Sequence, residues 1–198
     1  VAGDRGAFVV AAKRSVELHR GWVQAPTTTA RFDAYLHRFG RAENYESATH
    51  IGVVVCRSSD HALVGVFNFS EIVRTAFQSS YLGYYAFSPL AGAGYMSEGL
   101  ALVLRFAFRK LKLHRVEANV HQAHAPSVAL VRRTAFVRDG YSPRITTIGG
   151  RCRRPHPLQR STDPAGPGAT SRTRASPGIW VRIAILDPSS VWRPPRFV

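Results

Sequence analysis

Ser80-Tyr81-Leu82-Gly83-Tyr84-Tyr85-Ala86-Phe87, the turn Pro89-Leu90-Ala91-Gly92-Ala93-Gly94-Tyr95-Met96-Ser97-Glu98-Gly99, and the run from Leu100 to Lys112 together decide the fold. The first piece is aromatic-rich and strand-like. The last places Leu100, Val103, Leu104, Ala107 and Leu111 at i, i+3, i+4, i+7 and i+11, which predicts a helix with one buried face. Arg105, Arg109, Lys110 and Lys112 fall on the remaining surface, near the end where the helix dipole favours cations. Between strand and helix, a glycine-rich turn aims unpaired backbone N–H groups at one point. Gly92, Ala93, Gly94, Tyr95 and Met96 are therefore expected to hold a phosphorylated cofactor.

Two readings of the turn compete. Gly92-x-Gly94 with Glu117 further on imitates a dinucleotide fingerprint and its ribose-binding acid. That fold, however, places its glycine turn near the start of a long βαβ series. Here the turn lies mid-chain after two strand-like segments, with too little ordered sequence to follow.

The better match is the GNAT superfamily of acetyl-CoA-dependent N-acetyltransferases, whose phosphate loop reads Gln/Arg-x-x-Gly-x-Gly/Ala. Both glycines are present, and Pro89 stands where the family has Gln or Arg. Leu82-Gly83-Tyr84-Tyr85, Gly94 to Leu100, Leu113-His114-Arg115-Val116-Glu117-Ala118-Asn119-Val120 and Ser127-Val128-Ala129-Leu130 resemble the RimJ/RimL branch. Arg14 to Val23 is similar to that branch's first helix, and the resemblance runs to about Gly150. It implies a single α/β domain with a mixed, mostly antiparallel twisted sheet flanked by helices. It further implies acetyl-CoA as cosubstrate and an amine acceptor, the N-terminal α-amine of a protein such as a ribosomal protein. A polyamine or antibiotic acetyltransferase and a degenerate remnant with weak CoA binding are the alternatives.

The chemistry sets requirements. An amine attacking a thioester needs a base for the ammonium proton, donors for the oxyanion and an acid for the thiolate. Glu71 and Glu117, in or beside strands, are candidate bases. By resemblance the oxyanion donors are backbone N–H groups on a splayed strand, here around Tyr84, Tyr85, Ala86 and Phe87, with Tyr85 also a catalytic candidate. The family's Asn-x-x-Ser after the following strand corresponds to His124-Ala125-Pro126-Ser127, so Ser127 matches and His124 replaces the Asn. Asn119, His124 and Ser127 complete the implied cofactor contacts. Ala135 stands where the family has Gly. Glu98 reads as a structural first-turn acid, and His114 and His121 as surface histidines.

Composition bounds the rest. The 198 residues, 45% hydrophobic, suffice for one sizeable core. Net charge is +15, yet Lys supplies only 3 of the 27 basic residues and no helix carries a basic stripe interleaved with aromatics, which argues against sequence-specific nucleic-acid binding. No apolar run approaches a membrane span, and no basic-then-apolar signal opens the sequence. Cys56 and Cys152 form neither a disulfide framework nor a zinc pattern, so no metal is expected and a reducing, cytoplasmic setting is. Monomer or weak homodimer is the expected state.

Outside the deciding stretch, a first helix is expected from Lys13 to Gln24 and a second after an N-cap signal at Thr27-Thr28-Thr29. His50 to Arg57 and Ala62 to Phe69 read as an antiparallel hairpin. Leu113 to Val120 reads as a strand, Pro126 to Val131 as a short helix, and Phe136 to Arg138 with Ser142 to Ile148 as final strand pieces. The superfamily's opening strand reads as missing or vestigial.

Residues 1–150 thus form the acetyltransferase-like domain and 151–198 an Arg/Pro-rich tail. That tail holds 8 of the 12 prolines and 9 arginines without Glu or Lys, a composition expected to be disordered. A shifted reading frame explains it equally, since the resembled branch has Gly-Gly-Arg-Trp-Arg-Asp-His where this chain has Gly149 to His156. The opposing expectation is that Ile179 to Leu186, with strand-type residues in partial alternation, replaces a lost sheet-edge strand.

Overall fold

The structure, a computed structural model, describes residues 5–40, 47–134, 136–138, 146–148, 151–153, 155–161 and 181–185. Three helices come first: α1 (Arg5–Arg14), α2 (Val16–His19) and α3 (Thr29–Phe39). The hairpin β1 (Ile51–Arg57) and β2 (Leu63–Val73) leads into β3 (Ser79–Ala86), α4 (Tyr95–Arg109), β4 (Arg115–His121) and α5 (Ala125–Arg133). Five short strands follow: β5 (Val137–Arg138), β6 (Thr146–Ile148), β7 (Arg151–Arg153), β8 (Pro155–Ser161) and β9 (Val181–Ile185). The main sheet runs β5-β8-β4-β3-β2-β1-β9, and β6 with β7 forms a separate antiparallel pair. Within the main sheet β3 and β4 pair parallel and every other described pairing is antiparallel, as the resemblance implied.

Helices cover both faces. Leu100, Val103, Leu104 and Ala107 of α4, all buried, pack with Val53, Val55, Phe67 and Phe69, so the spacing read in the sequence is the helix's core face. On the opposite face Phe8, Val9 and Ala12 of α1 and Phe32 of α3 cover Val54, Val66, Tyr85 and Phe87. Alternate residues of β1 and β2 serve the two layers, so these strands are apolar on both sides. Thr28 caps α3 by accepting from the Arg31 backbone N–H at 3.3 Å, as its position suggested.

The first helix lies earlier than its expected Lys13 start. Val16 and Leu18, apolar residues of the expected span, are 47% and 43% exposed, while Phe8, Val9 and Ala12 do the packing. Strand pairing continues beyond Gly150. β8 pairs antiparallel with β4 from Arg115↔Ser161 to His121↔Pro155, and β9 pairs with β1 from Val53↔Ile185 to Arg57↔Val181. Three described segments of the stretch after Gly150, Arg151–Arg153, Pro155–Ser161 and Val181–Ile185, are strands, the last of them within the Ile179 to Leu186 edge-strand alternative. The driving force is β1 itself: a strand apolar on both faces, left as an edge, exposes its backbone and hydrophobic surface. Ala135, Ser142 to Arg144 and Gly149-Gly150 lie outside the described residues. Among the described residues no helix is long and apolar enough to cross a membrane.

Candidate active site

The site begins where the sheet opens. β3 and β4 are in register only at Ser79↔Arg115, Ser80↔Val116 and Tyr81↔Glu117. Beyond that point both strands continue, β3 to Ala86 and β4 to His121, and each stays anchored on its other side, to β2 through Gly65↔Ala86 and to β8 through His121↔Pro155. Two neighbouring parallel strands therefore part while remaining fixed, leaving a V-shaped opening whose inner edges carry backbone N–H and C=O groups not used in the ladder.

The glycine turn stands beside it. Gly92 has φ +82 and Gly94 φ +89, both in the left-handed region that L side chains disfavour, and Gly94 is the N-cap of α4. The backbone N–H groups at the start of α4, at Tyr95 and Met96, are left without an intrahelical partner at the positive end of the helix dipole. A Cβ placed on Gly92 meets nothing within 4 Å, so the turn borders open space. The Met96 side chain turns inward instead, and close approach is the reason Gly65 has no side chain: a Cβ there would lie 2.5 Å from Met96 Sδ and 2.6 Å from the Tyr85 carbonyl. Arg57, ion-paired to Asp60, lies over the Tyr95 ring at 5.9 Å, which brings a guanidinium against this turn.

Tyr84 and Tyr85 point to opposite faces, as strand neighbours must. Tyr84 reaches α5, where its hydroxyl donates to the Ser127 carbonyl at 3.3 Å, and burial pushes that hydroxyl's pKa up to about 12, so it stays a donor at neutral pH. Tyr85 is buried against α1 and α3 with its hydroxyl beside that of Tyr35, which in turn donates to Asn68. Burial raises the Tyr85 pKa strongly. Tyr84→Phe should remove the tie between β3 and α5 and lower the unfolding free energy by about 1 kcal/mol. Denaturant midpoints at constant m-value measure it; an unchanged midpoint would show that the contact carries no such weight.

The candidate bases are not brought together. Glu71 sits with φ +51 in a β2 bulge, two-thirds exposed, with His50 Nε2 3.5 Å from its carboxylate. Along β2 it is six residues from Gly65, about 20 Å from the open ends of the strands. Glu117 marks the apex of the opening and is held by the Arg115 guanidinium at 2.7 Å. Asn119 is exposed on the same strand face as Glu117, away from the Val116, Ala118 and Val120 that pack under α4 and α5.

The sequence reading missed the segment that crosses the open ends. His19 is buried, and its Nε2 donates to the Ala86 carbonyl at 2.8 Å, which fixes the Nε2–H tautomer because a carbonyl only accepts. Burial lowers its pKa, opposed by that bond. Three residues on, the Trp22 ring packs at a tilt against His124, centroids 4.4 Å apart, and against His121 at the end of β4, 5.5 Å apart. His121, expected on the surface, is partly buried and accepts the Ala123 N–H on Nδ1 at 3.1 Å. A Trp in an amphipathic stretch gave no sign of this. Its partners lie about a hundred residues away. Among the described residues no cluster of three or more His, Cys, Asp or Glu is placed to hold a metal.

A splayed β3–β4 pair beside a glycine-capped helix N-terminus is the arrangement of the GNAT acetyltransferases, and residues 2–137 match the acetyltransferase (GNAT) domain family, to which this chain belongs. It is 32% identical over 120 residues to the probable N-acetyltransferase YjcK of Bacillus subtilis, covering 61% of this chain and 63% of that protein. It is 35% identical over 102 residues to the ribosomal protein uS5-alanine N-acetyltransferase of Escherichia coli, covering 52% of each. The chain thus spans between half and two-thirds of the length of these curated relatives. The solved structure of Mycobacterium smegmatis RimJ in complex with CoA-disulfide shares the fold, with TM-score 0.72 and 21% identity over 82% of this chain and 79% of that one.

Proposed function

We propose that this chain transfers the acetyl group of acetyl-CoA to a primary amine, the N-terminal α-amine of a protein such as a ribosomal protein, in the cytoplasm. The observation that carries the reading is the V-shaped opening between β3 and β4 beside the glycine turn, a slot and a phosphate anchor in one place. In this reading the turn from Gly92 to Met96 holds the pyrophosphate through backbone N–H groups. The pantetheine arm lies in the opening between Tyr84 to Phe87 and Asn119 to His121, near Ser127. Backbone donors freed by the splay face the thioester oxygen and stabilise the oxyanion. The relative named for uS5-alanine acetylation supports a protein N-terminus as acceptor.

A thiol-release assay with acetyl-CoA tests this. A peptide with a free N-terminal alanine should be turned over, and the same peptide already acetylated at its N-terminus should not. Turnover of spermidine but not of the peptide would replace the acceptor. Absence of both turnover and CoA binding would mark a degenerate remnant.

A further inference from the structure

One short segment straddles both lips of the opening on the face away from α4: His19 binds the end of β3, and the Trp22 ring packs at a tilt against His121 at the end of β4 and His124 at the start of α5. From this we propose that His124 accepts the proton of the incoming ammonium, its ring packed against Trp22. The inference rests on the acetyl-transfer reading and names the base within it.

Position selects His124 over the carboxylates. Glu71 is at the far end of β2, and Glu117 is engaged by Arg115 at the apex. Among the imidazoles at the mouth, His19 is buried and tied to Ala86, and the basic nitrogen of His121 is occupied by the Ala123 N–H. Protonating His121 at Nδ1 would break that bond. The His124 ring has no hydrogen-bond partner among the described residues, which leaves its basic nitrogen for the substrate. The groups facing it are the Trp22 indole from the turn after α2 and the His121 imidazole from β4, while the Tyr84 hydroxyl of β3 is turned to Ser127. None of these is an anion. Burial first and His121 second lower the His124 pKa, so the ring is neutral at neutral pH and able to take a proton.

The step balances as follows. The ammonium gives one proton to His124; the freed nitrogen lone pair attacks the thioester carbonyl carbon, forming the N–C bond. The C–S bond then breaks, and the sulfur leaves with a second proton from the attacking nitrogen. Products are the N-acetyl amide and CoA thiol, with the proton on His124 released to solvent.

The test is the pH profile of kcat with acetyl-CoA and the alanine peptide for the parent chain, His124→Gln and His124→Asn, the last restoring the residue of the resembled pattern. For the parent, the acidic limb should fall below about 6.5, the ordinary imidazole value. Both variants should lose about 100-fold in kcat at pH 7 with acetyl-CoA saturating. Their limb should move to about 8, where the α-amine deprotonates by itself, and their rates should approach the parent's at pH 9. That recovery also shows that the variants are folded. A variant limb unchanged from the parent's, or an equal loss at pH 7 and pH 9, overturns the base while leaving the transfer reading intact. A parent chain without turnover overturns both.

Discussion

Deletion of residues 151–198 should leave a chain that is insoluble or melts far below the full-length protein. The composition of this stretch alone argues for a dispensable tail, and the sheet argues against it. β8 flanks the whole of β4, and β9 flanks β1 from Val53 to Arg57. Val53, Val54 and Val55 are fully buried, so removing their neighbour exposes apolar surface on both faces of β1 together with its backbone. Uncovering even roughly 300 Å² at about 25 cal/mol per Å² costs about 7 kcal/mol, comparable with the whole stability of an ordinary domain. β8 also anchors the β4 side of the active-site opening, so CoA binding should fail together with folding. Thermal unfolding and the soluble fraction measure the effect. A truncated chain that melts within a few degrees of the parent would return 151–198 to the status of a dispensable tail.

Replacing Gly94 by Val should raise the Kd for acetyl-CoA at least ~10-fold, about 1.4 kcal/mol. Gly94 adopts φ +89 at the N-cap of α4, a conformation a β-branched residue takes only under strain. The turn relieves that strain by rotating its peptide planes, which re-aims the N–H groups of Tyr95 and Met96 away from a shared anion. Leu100, Val103 and Leu104 still bury the helix's core face, so the melting temperature should change much less than the affinity. Calorimetry separates the two. An unchanged Kd would place the phosphate site elsewhere.

Much of the frame was legible from local pattern. The 3.6-residue spacing of α4, the hairpin of β1 and β2, the Thr28 cap and the glycine turn are each written in neighbouring residues, because backbone sterics and one-face burial act over a few positions. The boundaries of the first helix were not. Val16, Leu18 and Trp22 resemble a buried stripe, but Phe8, Val9 and Ala12 win the contact with the sheet.

The candidate site divides along the same line. The glycine turn and the opening strand β3 could be named from the sequence, since each is built from consecutive residues. Of the histidines only His124 was named, as a cofactor contact and by resemblance, because an imidazole's role depends on what its two nitrogens meet: His19 meets Ala86, 67 positions on, and His121 meets the Ala123 N–H beneath Trp22. The two carboxylates suggested by strand context were placed by the sheet at the far end of β2 and in an ion pair at the apex.

By itself the sequence determined a glycine turn opening an amphipathic helix and the β1–β2 hairpin, through backbone conformation and hydrophobic period, while the mostly antiparallel α/β domain followed from the family resemblance. Only the tertiary structure decided that Pro155–Ser161 and Val181–Ile185 are strands and that His19, Trp22, His121 and His124 gather at one mouth. The reason is common to both: a weakly patterned segment becomes a strand only beside an edge that needs covering, and an imidazole becomes a base only where its neighbours leave one nitrogen free. Neither condition is local in the chain.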